Sequence, residues 1–226
     1  MRILIATATS AEVAPLLAEL HHVSDASGRV NRFTRASHDV DVLVTGVGMV
    51  ATAAWCSQAL SRQRYDLAVN LGVCGSFDRA LAPGTVVHVV SDCIAELGAE
   101  DADRFVTVQE LNLLAADEFP FRVGRLVNDA PPPNAVLRSL PAVTAITVNT
   151  VHGNERTIAE VTRRFSPQVE SMEGAAFMYA CIIHGAPFVQ VRAVSNVVER
   201  RNREAWALAD AIRNLCATSL SILDCA

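Results

Sequence analysis

The feature that most restricts what this chain can fold into is a repeated passage from an unbroken apolar run into glycine. VDVLVTGVG (40–48) and DLAVNLGVCGSF (66–77) each read as a strand buried on both faces that ends at glycines. RILIATA (2–8), GTVVHVVSD (84–92), VTAITVNTV (143–151) and PFVQVRAVS (187–195) read as further buried strands. Helical patterns separate them: AEVAPLLAEL (11–20, with Pro15 near its first turn), MVATAAWCSQALSR (49–62), MEGAAFMYACIIHG (172–185) and REAWALADAIRNLCATSLSIL (203–223). APPPN (130–134) reads as a loop. Strands alternating with helices predict an α/β fold, a mixed β-sheet flanked by helices. Without an internal repeat or a linker-like segment, 226 residues are expected to form a single domain over 1–226.

Composition narrows the partner. A formal charge of −5 leaves no electrostatic footprint for nucleic acid or an anionic membrane, so a small molecule is expected. All 19 basic residues are Arg. Lysine nucleophiles and Schiff bases are therefore excluded, and anions must be held by Arg, His or backbone N–H groups. Cys56, Cys74, Cys93, Cys181, Cys216 and Cys225 show neither C-x-x-C pairing nor a His at metal spacing, so they are expected to be small buried residues in a reducing compartment. The N-terminal apolar run is too short for a signal peptide, and no run approaches a spanning helix. A cytoplasmic location follows as the expectation. GVGMVA lacks the third glycine of a dinucleotide fingerprint, and no organic cofactor or metal is expected.

In α/β sheets, ligands gather where strands end at glycines and polar residues. Four such ends are present: 8–12, 46–48, 72–76 and 195–196. QVESMEGAAF (168–177) places Glu170 and Glu173 around a Ser-Met pair where an apolar small-residue helix begins. Glu173 would face inward in its first turn, or else simply complement the helix dipole from the surface. QVRAVSNVVERRN (190–202) stops at Asn196, an amide that either ends the strand by local hydrogen bonding or serves a ligand.

Read together, SAEV, TGVGMVAT, NLGVCGS, VESMEGAAF and VRAVSN resemble the nucleoside phosphorylase and nucleosidase superfamily nearly end to end, in particular its methylthioadenosine nucleosidase branch. Carried over by position, the resemblance implies that Glu12 activates the attacking water, and that Met172 and Glu173 form the ribose site. It also implies that Ser171, Val73 and Gly75 line the substrate. Asn196 falls where that branch has an Asp serving the adenine leaving group. A protonated Asp gives a proton to N7 and accepts from a 6-amino group. Asn instead donates to O6 and accepts from an N7 proton, which argues for a 6-oxopurine. Thr150 and Val151 stand where the adenine enzymes stack a Phe.

Related phosphorylases place an Arg for phosphate on the strand where this chain has Asn70, and an amide cannot replace that bidentate charged contact. Glu12 would also repel phosphate, so water is the expected nucleophile. VESMEGAAF, NTVHGNERT and RAVSNVVERRN are similar to the branch that hydrolyses futalosine in an alternative route to menaquinone. That resemblance implies release of hypoxanthine and an apolar pocket for the substrate's 5′ group, with Val151, His152 and Trp206 as candidates. Trp206 as a core helix anchor, and His152 as a surface or satisfied histidine, stay open. So do methylthioadenosine/S-adenosylhomocysteine nucleosidase and purine nucleoside phosphorylase activities, and a nucleoside-binding protein without turnover. The resemblance implies a homodimer. Phe77 and Arg192 lie near the motifs without a firm role.

Overall fold

The computed structural model describes residues 1–25 and 29–225. In chain order the elements are β1 (Arg2–Thr7), a 3-10 turn (Ser10–Glu12), α1 (Ala14–Leu17), β2 (His21–Asp25), β3 (Val30–Arg35), β4 (His38–Val44), α2 (Met49–Arg62), β5 (Leu67–Ser76), β6 (Val86–Asp92), β7 (Gly98–Asp101), β8 (Arg104–Thr107), β9 (Leu126–Val127), α3 (Ala135–Ser139), β10 (Ala142–Thr147), α4 (Glu155–Phe165), β11 (Val169–Ser171), α5 (Gly174–Ile183), β12 (Phe188–Val197), a second 3-10 turn (Arg203–Ala205) and α6 (Leu208–Asp224).

The main sheet runs β11-β10-β6-β12-β5-β1-β4-β3-β2, with β9 alongside β6. The centre is parallel: β1 pairs with both β4 and β5, and β5 with β12. The pairing β12–β6 is antiparallel. β11 pairs with β10 and, across the other side, with the end of β5 at Gly75 and Ser76. The five strands β5, β12, β6, β10 and β11 thus close into a ring, which leaves no free edge on that side. Closure brings the ends of β5, β11 and β12 together.

Helices cover both faces, as buried strands of this kind require. Ile3, Ile5, Val69, Leu71, Val189 and Val191 pack with Leu215 and Ile222 of α6 on one face. Leu4, Ala6 and Ala68 pack with Phe177, Met178 and Cys181 of α5 on the other. α5 is apolar nearly all round and correspondingly buried. Burying a side chain such as Phe177 or Met178 contributes about 1.5–3 kcal/mol. No helix among the described residues is long and apolar enough to cross a membrane.

Where element boundaries differ from the sequence expectation, three have a clear local cause. The helix expected over 11–20 is a 3-10 turn followed by the single turn α1, and the chain enters strand β2 at His21. Glu12 causes the break by folding back to accept the Thr9 N–H at 2.9 Å. The last helix starts at Leu208 rather than 203, because the Ala207 N–H donates to the Ser195 carbonyl of β12 at 2.9 Å instead of continuing the helix. The strand expected to reach 151 leaves the sheet after Thr147, and the next amides turn to Ser171 O and the Glu96 carboxylate. Five cysteines are buried as expected. Cys225 is exposed, since it lies beyond the last buried turn of α6.

Candidate active site

Glu12 is presented by the 3-10 turn after β1. Its Oε2 accepts from the Thr9 N–H at 2.9 Å and the Thr9 hydroxyl at 3.0 Å, and its Oε1 accepts from the Val73 N–H at 3.2 Å. The turn thereby locks the carboxylate against the end of β5. Glu173 is the N-cap of α5, one residue earlier than the expected first turn, and its side chain caps nothing in its own helix. It reaches across to the turn after β4, where the Gly48 N–H donates to its Oε1 at 3.1 Å. The capping is done by neighbours: Ser171 Oγ accepts from the Gly174 N–H and Thr147 Oγ1 from the Ala175 N–H, at 3.3 and 2.7 Å. Glu173 is thus free to serve the cavity while the helix end stays satisfied.

Arg192 of β12, 1% exposed, ties this together. Its Nη1 lies 3.5 Å from Glu173 Oε2, and its Nη2 donates to Asn70 Oδ1. The guanidinium fills the space that a side chain on Gly72 would need. A Cβ there would overlap Nη1 and sit 3.3 Å from Arg192 Cζ and 3.1 Å from Glu12 Oε1. A buried cation therefore stands between the two carboxylates, and Gly72 is the residue that admits it. Sequence reasoning assigned Arg192 no role. An Arg inside an apolar strand was the available signal, because an Arg is buried only where it is paired. Asn70, 1% exposed, donates to Ala6 O at 3.0 Å and braces Arg192 from below without lining the cavity.

Opposite these groups, β12 carries a bulge. Its register to β5 slips between Val194 and Asn196, and the extra residue, Ser195, turns Asn196 toward the cavity. The Asn196 amide has a defined orientation. Nδ2 is 3.0 Å from the Val197 carbonyl, which can only accept, so Oδ1 faces the Ser195 hydroxyl at 2.8 Å. One N–H and one lone pair of the amide remain for a ligand.

These groups line one cavity of about 380 Å³. Glu12, Val73, Gly75, Val151, His152, Ser171, Met172, Glu173, Asn196 and Trp206 all contribute to it. Thr150 does not: it is exposed and its N–H lies 3.4 Å from Glu96 Oε1, because the chain has already left the sheet. His152, expected toward the 5′ end, is held by Glu170, whose Oε2 lies 2.6 Å from its Nδ1. Phe77 meets the His152 ring edge-on, with centroids 6.2 Å apart, and stays outside the cavity. Trp206 lies under the Arg201 guanidinium, 5.5 Å from ring centroid to Cζ, and Arg201 is the one arginine among the lining residues. A larger cavity of about 590 Å³ beside the β7–β8 hairpin shares only His152 with this one and holds none of Glu12, Glu173 or Asn196.

A sheet flanked by helices thus gathers carboxylates and an amide at its strand ends over one cavity. The chain belongs to the phosphorylase superfamily, whose family model matches residues 2–224. Among its relatives, futalosine hydrolase from Streptomyces coelicolor is 33% identical over 183 residues, spanning 77% of this chain and 74% of the relative. 5′-Methylthioadenosine/S-adenosylhomocysteine nucleosidase from Lysinibacillus sphaericus is 26% identical over 211 residues, 89% of each chain. The fold is that of the crystal structure of a 5′-methylthioadenosine/S-adenosylhomocysteine nucleosidase from Colwellia psychrerythraea in complex with adenine, with a TM-score of 0.81 and 22% identity over 99% of this chain and 95% of that one.

Proposed function

We propose that this protein is an N-glycosidic hydrolase that cleaves futalosine to hypoxanthine and dehypoxanthine futalosine, a step of menaquinone biosynthesis, through one nucleosidase domain over 1–226. The observation that carries the reading is the pairing of Glu12 and Glu173 around buried Arg192, with the Asn196 amide facing the same cavity. Similarity to futalosine hydrolases supports the choice of substrate.

Breaking the C1′–N9 bond leaves oxocarbenium character on the sugar and an electron pair on the base. Glu12 takes a proton from water as its oxygen joins C1′. Glu173, fixed by Gly48 N–H and Arg192, accepts from the ribose hydroxyls, and Met172 packs beneath the sugar. The bond pair leaves on the base, whose N7 takes a proton from solvent. Asn196 Oδ1 holds that proton while Nδ2 donates to O6. Gly75 and Val73 border the base, and Val151 offers an aliphatic face where adenine enzymes stack a ring. Trp206 covers the sugar, and Arg201, the sole lining guanidinium, is the group suited to a carboxylate on the substrate's 5′ substituent. Asn70 braces Arg192 and leaves no arginine at the position phosphate would need. The enzyme acts in the cytoplasm as a homodimer.

The test is to incubate the protein in phosphate-free buffer with futalosine, inosine and methylthioadenosine in parallel and to measure free base by chromatography. Hypoxanthine from futalosine is the expected result. Adenine from methylthioadenosine in preference, or no release until phosphate is added, overturns it.

A further inference from the structure

Glu170 is a carboxylate of the cavity that the scheme above leaves unused. Its side chain is 3% exposed, and no arginine pairs with it among the described residues. Both its oxygens go to one residue. Oε1 accepts the backbone N–H of His152 at 3.0 Å, and Oε2 lies 2.6 Å from His152 Nδ1. A carboxylate accepts, so Nδ1 carries the proton, which in the uncharged imidazole leaves Nε2 as the acceptor. The ring lines the cavity and is 15% exposed.

Gly75 locates this pair relative to the base. A Cβ on Gly75 would lie 3.5 Å from Glu170 Cγ and 3.5 Å from Asn196 Nδ2, which bounds the separation of those two atoms at twice that distance. Glu170 and Asn196 therefore flank one short stretch of β5. With Asn196 at N7 and O6, the next polar position round the purine ring is N1. In a 6-oxopurine N1 bears a hydrogen; in adenine it is a lone pair.

Resting on the nucleosidase reading, we propose that His152, with its tautomer set by Glu170, accepts the N1–H of the leaving base and, with Asn196, makes the site specific for 6-oxopurines. His152 is the specificity residue and Glu170 its positioning residue. Adenine would set its N1 lone pair against that of Nε2.

Glu170→Gln tests the tautomer. The His152 backbone N–H can only donate, so it keeps Gln Oε1, and the new NH2 faces Nδ1. Nδ1 must then accept, which moves the ring proton to Nε2 and turns the reader into a donor. His152→Phe removes the reader while keeping a ring against Phe77. Calorimetry with hypoxanthine, 1-methylhypoxanthine and adenine reads the outcome, beside futalosine kcat/KM for each protein. The wild type is expected to bind hypoxanthine best. His152→Phe should weaken hypoxanthine about 10- to 100-fold and leave adenine unchanged or tighter, since the opposed lone pair is gone, and Glu170→Gln should reverse the order of hypoxanthine and adenine. An unchanged hypoxanthine-to-adenine ratio in His152→Phe overturns the inference, even if Glu170→Gln does not fold. If the wild type cleaves futalosine while that ratio stays fixed, only the inference fails; if the wild type does not cleave it, the proposed function fails first.

Discussion

Replacing Asn196 by Asp changes one atom, and its consequences can be worked through in advance. In the native protein Nδ2 donates to the Val197 carbonyl at 3.0 Å. An ionised Asp would set oxygen against oxygen there, so the acid is favoured in its protonated form, with its proton directed either to Val197 or to the ligand. Toward a 6-oxopurine the variant loses the donation to O6, worth about 1–3 kcal/mol when the partner is buried. Toward a 6-aminopurine it gains an acceptor for the amino group and an acid for N7, of similar size. The two effects push the ratio of kcat/KM for 6-oxo over 6-amino nucleosides in the same direction, by about 2–6 kcal/mol, or from about 30-fold to about 25,000-fold. The assay is initial-rate base release from futalosine and from its 6-amino counterpart across pH. Activity on the 6-amino substrate should be present at low pH and decline as the new acid ionises. A ratio that stays within about threefold of the wild type would show that Asn196 does not contact the base, and that its hydrogen bonds to Ser195 and Val197 are its whole purpose.

Other expectations follow from the same geometry. Glu12→Gln must present an NH2 to the Thr9 or the Val73 N–H, and it removes the base; kcat should fall about 10²- to 10⁴-fold with a modest change in KM, and near-normal single-turnover rates would refute the assignment. Gly72→Ala drives a methyl into Arg192 Nη1; a stability loss of about 1–3 kcal/mol by urea unfolding should accompany loss of turnover, and full activity would mean that the Arg192 position is not needed. Burial raises the Asp92 carboxyl to about 6, against hydrogen bonds from Gln190 and Thr147. A group with a raised folded value contributes its stability fully below its unfolded pKa, about 3.9, and loses it as pH rises through about 6. Asp92→Asn removes that loss, since Gln190 can turn its unpartnered Oε1 toward the new NH2. Urea titrations at pH 4 and pH 8 should show the wild type losing up to about 3 kcal/mol more than the variant; equal changes would place the titration elsewhere.

The sequence by itself determined the central strands, the long helices and which strand ends meet at the candidate cavity. Unbroken apolar runs require a sheet covered on both faces, and a glycine or polar residue closing each run marks a ligand-facing end. The strand ends at 8–12 and 195–196 and the carboxylates of VESMEGAAF stood out from the apolar pattern, while the roles expected of Glu12, Glu173 and Asn196 came from the family resemblance. α4 and the edge strands β2 and β3 were not read. Asn154, which caps α4 by accepting the Arg156 N–H at 3.0 Å, was a usable signal for the helix, whereas HHVSD in β2 has no apolar alternation to betray a strand. Only the tertiary structure decided that β11 closes onto β5, that Arg192 passes behind Gly72 to stand between two carboxylates, and that Glu170 meets His152 eighteen residues away. The physical reason is one of range. Periodicity and capping are settled among neighbours in the chain, but a buried charge takes its partner from whatever the closed sheet brings against it, and no local pattern encodes that meeting.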